Sequence, residues 1–75
     1  MMKTKYKFIN FQKKEHESFY RILNNKSGVC LGYVIYYKEW KQWVFSQAGP
    51  DMLFSMDCLL DIVDFIIRLK GNQIK

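Results

Sequence analysis

The residues best suited to chemistry in this chain are aromatic and basic side chains interleaved over one short stretch. It reads Y-Y-K-E-W-K-Q-W from Tyr36 to Trp43. Single-stranded nucleic acid prefers such surfaces, because bases stack on rings and lysines contact phosphates. The sequence therefore predicts a site for nucleic acid or a macromolecular partner, with further basic residues extending it over a sheet. Its members are Tyr36, Trp40 and Trp43 as stacking residues and Lys5, Lys7, Arg21, Lys38 and Lys41 as phosphate contacts.

The same aromatic residues also suit a structural role, since large aromatic side chains are commonly buried. Strand alternation would send Val34, Tyr36 and Val44 to one face of the sheet. It would send the other large residues to the opposite face, and a single helix covers only one face. These other residues are Tyr33, Ile35, Tyr37, Trp43 and Phe45. One aromatic set is then core and the other a surface patch or second packing layer, with Trp40 in the turn as a stacking residue or a lid over the core.

Catalytic and metal-binding sets are not indicated. His16 is the one histidine and lies in a charged loop, where an exposed side chain is expected. Cys30 and Cys58 are expected to be buried thiols, because free cysteine packs as a small apolar residue. Structural zinc requires four closely spaced ligands, and no phosphate-binding glycine loop is present. We therefore expect a binding protein rather than an enzyme, without a cofactor or metal.

Length and composition indicate one small domain over residues 1–75, in which 49% of residues are hydrophobic. Residues 1–50 carry nine Lys/Arg and three Glu, giving +6, whereas residues 51–75 carry four Asp and three Lys/Arg, giving −1. Two cysteines are too few for a secreted disulfide scaffold. The longest apolar stretch is interrupted by charges, so no membrane contact is expected. These features favour the cytoplasm.

The order of elements predicts an α+β fold, an antiparallel meander of four to five strands packed by one C-terminal helix. Strands are predicted at 5–11, 18–23, 29–37 and 42–47, with 52–54 as a short edge strand or extended chain. A turn at 24–28 would use Gly28 or an asparagine at positive φ. The helix is expected to begin at Ser55, as N-cap, and to end before Gly71.

The helix has an apolar arc wider than one sheet face normally covers. We expect Leu59, Ile62, Val63 and Ile66 to pack on the sheet, with Phe65 and Leu69 flanking one side. The opposite flank, Leu60 and Ile67, would then suit a homodimer contact or another partner. The charged stripe formed by Asp57, Asp61 and Asp64 is expected to face solvent.

Two stretches resemble a pattern found in short, largely uncharacterised phage and prophage proteins. Residues 31–45 are similar to L-G-x-I-x-W-Y-x-x-W-R-Q-Y-x-F, and residues 54–65 to F-S-x-x-C-L-x-D-I-x-x-F. The resemblance covers about half the chain. This sequence has Tyr36, Lys41 and Trp43 where the pattern often has Trp, Arg and Tyr. The resemblance implies an origin in a mobile element and carries no established activity.

Two functions follow as hypotheses. The first is a non-enzymatic phage accessory protein that binds single-stranded or structured RNA or DNA in the host cytoplasm. The second is a phage-encoded protein–protein inhibitor of a host nucleoprotein complex, either a defence complex, as anti-CRISPR proteins are, or the transcription machinery. The steep salt dependence of phosphate contacts would distinguish the first from apolar docking.

Overall fold

Four β-strands followed by one α-helix make up the computed structural model, which describes residues 3–72. The elements are β1 (Ile9–Gln12), β2 (Tyr20–Asn24), β3 (Cys30–Tyr37), β4 (Gln42–Gln47) and α1 (Met56–Asn72). The strands form one antiparallel sheet in the order β1-β2-β3-β4, and the helix packs on one of its faces. The predicted α+β meander with a C-terminal helix is confirmed. Residues 52–54 form no strand.

The N-terminal strand is shorter than predicted because the chain reverses at residues 7 and 8. The Tyr6 N–H donates to the carbonyl of Ile9, and the Phe11 N–H donates to the carbonyl of Thr4, each at 2.8 Å. Residues 4–6 therefore lie along the outer edge of β1. The prediction of one strand over residues 5–11 is wrong, because apolar residues on both sides of the reversal continue a strand-like pattern.

The turn between β2 and β3 is stabilised by the side chain of Asn24. Its Oδ1 accepts hydrogen bonds from the backbone N–H groups of Lys26 and Ser27, at 2.8 and 2.9 Å. Asparagine commonly closes turns in this way. Gly28 follows with φ of +76°, which confirms the expected positive φ in this loop.

The hydrophobic core is centred on Phe65 of α1, which is fully buried. Its ring stacks on Phe11 with centroids 3.9 Å apart and planes within 3°. Tyr20 presents its edge to the same ring at 5.0 Å. Ile22 and Val34, from the two central strands, are also fully buried. The core thus lies between the helix and one sheet face.

The helix is rotated relative to the predicted packing. The side chains buried along it are Ile62, Phe65 and Leu69, whereas Leu59 and Val63 are 43% and 51% exposed. The prediction that Leu59 and Val63 pack on the sheet is wrong, although Ile62 and Ile66 do contact the core. Because the apolar arc is so wide, helical periodicity alone did not determine which part of it faces the sheet.

A hydrogen bond between the N-terminal segment and the helix is compatible with this rotation and adds to the core contacts. The Tyr6 hydroxyl donates to Oδ2 of Asp64 at 2.7 Å, and Nε of Arg68 donates to the same oxygen at 2.8 Å. The bond from Arg68, followed by that from Tyr6, lowers the pKa of Asp64. Burial, followed by the bond to Asp64, raises the pKa of Tyr6. Asp64 is therefore a structural contact as well as part of the charged stripe.

The helix begins as the sequence predicts. The Ser55 hydroxyl accepts a hydrogen bond from the Cys58 N–H at 3.2 Å, which is the geometry of an N-cap. Gly71, however, lies inside the helix and does not end it.

Gly32 gives the first prediction. This buried residue of β3 lies so close to β4 that a Cβ would be 2.6 Å from the Ser46 carbonyl oxygen and 2.9 Å from the Phe45 ring. Gly32→Ala should destabilise the fold by about 1–3 kcal/mol, the usual range for overpacking. Urea unfolding measures the effect. Gly49→Ala, where a Cβ meets no atom within 4 Å, is the control, and equal midpoints for the two variants would contradict the prediction.

Asp64 gives the second prediction. A carboxylate whose pKa is lowered by folding stabilises the folded state at pH values above its ordinary pKa of 3.8. This stabilisation is lost as the pH falls through the lower pKa of the folded state. Asp64→Asn should therefore be less stable than the parent at about pH 6, with the difference shrinking below about pH 4. Thermal unfolding across pH tests this. Asp51→Asn, at an exposed turn, is the control, and a difference for Asp64→Asn that stays constant with pH would refute the prediction.

Candidate nucleic-acid interface

Strand register determines which aromatic residues share a face. Tyr36 lies opposite Trp43 and Val34 lies opposite Phe45. Directly opposed residues of an antiparallel pair point to the same side. Because Val34 is buried beneath the helix, Trp43 and Phe45 also belong to the helix-covered face. The prediction that Trp43 and Phe45 share a face with Tyr33, Ile35 and Tyr37 is therefore wrong. The prediction that Val44 shares a face with Val34 is also wrong, since Val44 lies opposite Ile35. Both errors arise because the β3–β4 turn sets the register between the strands, which alternation along one strand does not reveal.

A concave site lies between the β3–β4 hairpin and the C-terminal part of α1. It encloses about 290 Å³, and we call it the hairpin cavity. Its lining residues are Tyr36, Lys41, Gln42, Trp43, Ile66, Ile67 and Lys70. Tyr36 and Trp43 meet edge to face with ring centroids 5.6 Å apart, and Tyr36 remains 45% exposed. One aromatic ring is thus open to a ligand beside a second that packs against the core.

The polar lining of the hairpin cavity is basic or neutral. Lys41 and Lys70 contribute two ammonium groups, and no carboxylate within residues 3–72 lines the site. Within residues 3–72 neither lysine forms an ion pair. Lys41 also has φ of +53°, a conformation that costs a non-glycine residue free energy and often marks a functional position. The cavity therefore offers aromatic surface together with uncompensated positive charge.

A second aromatic group occupies the sheet face away from the helix. Trp40, in the β3–β4 turn, is 65% exposed and meets the Tyr37 ring edge to face at 4.9 Å. Phe19 and Tyr33 form another edge-to-face pair at 5.9 Å. We call these four residues the open-face aromatics. Trp40 is therefore not a lid over the core.

Arg21 lies among the open-face aromatics, with its guanidinium 5.2 Å from the centre of the Phe19 ring. It donates a hydrogen bond to the Glu17 carboxylate, which lowers the pKa of Glu17 and raises that of Arg21. A phosphate would have to compete with Glu17 for this side chain.

The eight predicted site residues do not form one surface. Tyr36, Lys41 and Trp43 come together in the hairpin cavity, whereas Arg21 and Trp40 belong to the open face. Lys38 is exposed in the β3–β4 turn. Lys5 and Lys7 lie beyond β1, at the sheet edge opposite β4, and the Lys7 carbonyl accepts a hydrogen bond from Asn25 in the β2–β3 turn. The structure therefore separates Lys5 and Lys7 from the others.

The helix contributes cavity residues that sequence reasoning did not assign to the site, namely Ile66, Ile67 and Lys70. Lys70 follows Trp43 by 27 positions, so no local spacing connects them. The sequence did contain one indication that Lys70 belongs to the site. A helix that follows β4 runs back toward the β3–β4 turn, so a basic residue in its last turn lies near that turn.

The two tryptophans should report on different environments. Trp40 is largely exposed, whereas Trp43 is half-buried and packs against the core. Trp43→Phe leaves only Trp40, whose fluorescence should be quenched strongly by acrylamide. Trp40→Phe leaves only Trp43, which should emit at shorter wavelength and be quenched less. Equal quenching in the two folded variants would contradict this arrangement.

Neither a membrane span nor a metal centre emerges from the described residues. Within residues 3–72 no helix combines the length and apolar character needed to cross a bilayer. Over the same range, no three His, Cys, Asp or Glu side chains gather around a potential metal position. Cys30 and Cys58 are free thiols that are only partly buried, so the prediction that both are buried is wrong.

Comparison with known proteins finds no family model, no curated protein and no solved structure that matches this chain. The function must therefore be inferred from the chemistry of its own surfaces. Among these, the hairpin cavity joins concave shape, aromatic surface and positive charge in one place.

Proposed function

We propose that this chain binds single-stranded or unpaired nucleic acid at the hairpin cavity, without catalysing a reaction. One observation carries the proposal: two aromatic rings and two lysines line the same concave site, and none of the carboxylates that the structure describes does. Stacking on aromatic rings contributes about 1–3 kcal/mol per base, and lysines meet the phosphates on either side.

The roles follow from the exposure of each residue. Tyr36, which is 45% exposed, offers a ring face on which a base stacks. Trp43 supports that ring edge to face and forms the wall of the cavity. Lys41 and Lys70 approach from the hairpin and the helix, so the phosphates flanking the stacked base lie between them. Ile66 and Ile67 close the apolar side of the cavity.

Two further residues would extend the site along a strand of nucleic acid. Lys38 and Trp40 are exposed in the same turn as Lys41, and because the Trp40 ring lies on the open face, a strand would have to pass around the tip of this turn to stack a neighbouring base on it. Lys5 and Lys7, at the opposite sheet edge, would add only to the general attraction produced by the net charge of +5. On the resemblance to phage proteins, the setting would be the host cytoplasm during mobile-element growth.

Inhibition of a host protein complex remains the second candidate function, because the face of α1 that points away from the sheet is apolar and exposed. Met56, Leu60 and Ile67 are 74%, 57% and 62% exposed. A protein–protein inhibitor of a host defence or transcription complex would dock through such a face or through the open-face aromatics. This alternative needs no nucleic acid. Salt should therefore weaken binding to nucleic acid strongly and binding through an apolar protein contact much less.

Adjacent tyrosines provide a matched test of the hairpin cavity. Tyr36 and Tyr37 are 45% and 38% exposed but lie on opposite faces of the sheet. Tyr36→Ala should weaken binding of a fluorescent single-stranded oligonucleotide by roughly 5- to 150-fold, the equivalent of one lost stacking contact. Tyr37→Ala should change it little. The reverse ranking in fluorescence polarisation would move the site to the open face, and no binding at low salt would eliminate the nucleic-acid function.

The lysines are tested by salt titration. Each phosphate contact to a single strand contributes about 0.7 to the slope of log K against log salt. Lys41→Ala and Lys70→Ala should each reduce the slope by about that amount. Lys5→Ala removes the same charge at the far edge and should leave the slope nearly unchanged. Equal slope changes for all three variants would show nonspecific attraction without a defined site.

A further inference from the structure

One edge of the sheet is covered by the chain itself. Residues 4–6 lie along the outside of β1, where the Phe11 N–H donates to the Thr4 carbonyl at 2.8 Å. Lys5 also forms an antiparallel bridge with Asn10. Proteins commonly cover an edge strand in this way, because its unpaired N–H and C=O groups would otherwise pair with another chain.

The other edge, along β4, has no neighbouring strand within residues 3–72. The Ala48 N–H donates to the Leu31 carbonyl in β3 at 3.0 Å. Backbone groups alternate along a strand, so Ser46 also directs its groups toward β3, whereas Phe45 and Gln47 direct theirs outward. Among the described residues, these outward groups form no hydrogen bond. We call the outward backbone groups of Phe45 and Gln47 the β4 edge.

The composition of β4 suits pairing with another strand. It reads Q-W-V-F-S-Q from Gln42 to Gln47, with no charge and no proline. Charges and prolines are the usual protection of an exposed edge strand. An uncharged strand can also lie beside a second copy of itself, because no like charges are brought opposite one another.

The charges beyond the two ends of β4 are opposite. Lys41 precedes Ser46 by five positions, and Asp51 follows it by five. Over residues 3–72 neither Lys41 nor Asp51 forms an ion pair. Two copies of this strand that run in opposite directions therefore bring the basic end of one to the acidic end of the other.

We infer that the β4 edge pairs with the β4 edge of a second copy of this chain, antiparallel and about a two-fold axis at Ser46. Phe45 of each copy then lies opposite Gln47 of the other and exchanges backbone hydrogen bonds with it. Lys41 of each copy lies at the end of the paired strands that carries Asp51 of the other. The two sheets join into one, with four strands from each copy.

Ser46 suits the position on the axis. It is exposed and lies opposite Tyr33, on the sheet face away from the helix. Opposed serine side chains are small and can form a hydrogen bond. Such a two-fold contact has the commonest symmetry of protein dimers. A parallel pair of strands would instead place Lys41 beside Lys41 and Asp51 beside Asp51.

This dimer does not depend on the nucleic-acid function, and it differs from the homodimer through Leu60 and Ile67 that the sequence suggests. Lys41 also lines the hairpin cavity, so a phosphate bound there would compete with Asp51 of the second copy. Dimerisation is therefore measured without nucleic acid, which keeps failure of one proposal distinct from failure of the other.

Analytical ultracentrifugation of the full chain over a concentration series tests the dimer, whose expected mass is twice 9.1 kDa. Gln47→Pro removes an N–H that points away from β3, a position where an edge strand tolerates proline. It should weaken association at least about 10-fold, because two hydrogen bonds across the axis are lost. Gln47→Ala keeps the N–H and is the matched control, which should associate like the parent.

Two outcomes of this experiment would overturn the inference. A monomer at all concentrations would leave the β4 edge to an extended segment of a different protein. A dimer that Gln47→Pro and Gln47→Ala weaken equally would use another surface. Circular dichroism verifies that both variants fold.

A charge exchange tests the antiparallel direction. Lys41→Asp and Asp51→Lys should each weaken association by about 2- to 30-fold, since each substitution breaks two exposed ion pairs in the dimer. The variant that carries both substitutions should recover the association of the parent. A double variant that associates no better than either single variant would contradict the proposed arrangement.

Cysteine cross-linking tests the register, in a background with Cys30→Ser and Cys58→Ala. Ser46→Cys should form a disulfide between copies under mild oxidation, because the opposed Cα atoms would lie about 4.5 Å apart. Val44→Cys, two positions away on the same face, would lie roughly 13 Å from its counterpart and should not cross-link. Cross-linking at Val44→Cys, or its absence at Ser46→Cys, would overturn the register.

Discussion

The stacked rings of Phe65 and Phe11 determine how the helix lies on the sheet, and most of the surface chemistry depends on that arrangement. With centroids 3.9 Å apart and planes nearly parallel, the two rings bring α1 onto the sheet face that carries Tyr20 and Ile22. The rotation of the helix then follows. Its charged stripe faces the N-terminal segment, and the exposed apolar side chains of Met56, Leu60 and Ile67 face away from the sheet. The same docking brings Lys70 to the hairpin and completes a cavity that neither element forms alone.

The distribution of charge separates two surfaces. Basic residues from the hairpin and the helix end surround the hairpin cavity, whereas the first turns of α1 are acidic. Nucleic acid approaching a chain of net charge +5 would be drawn toward the first region and kept away from the second.

The fold was predictable from local signals, whereas the relations between elements were not. The strongly β-forming residues of β3, the turn at Gly28 and the N-cap at Ser55 each act within a few residues, and each was recognised from the sequence. The reversal at residues 7 and 8 was missed because it depends on backbone hydrogen bonds. The rotation of α1 was missed because it depends on contacts between residues far apart in the sequence, namely Phe65 with Phe11 and Tyr6 with Asp64. Three of the seven lining residues of the hairpin cavity were missed for the same reason, since only the docking of the helix brings Ile66, Ile67 and Lys70 beside the hairpin.

The meander order of the strands also has a consequence for how the chain folds. Every strand pairs with its neighbour in sequence, so the sheet can grow hairpin by hairpin with short loops to close. Folds dominated by such local contacts generally form quickly. The helix, by contrast, must close a loop that spans most of the chain before Tyr6 reaches Asp64. We therefore expect the sheet to form before the helix docks on it. Until the helix docks, the aromatic inner face of the sheet would be exposed to solvent and to other unfolded chains.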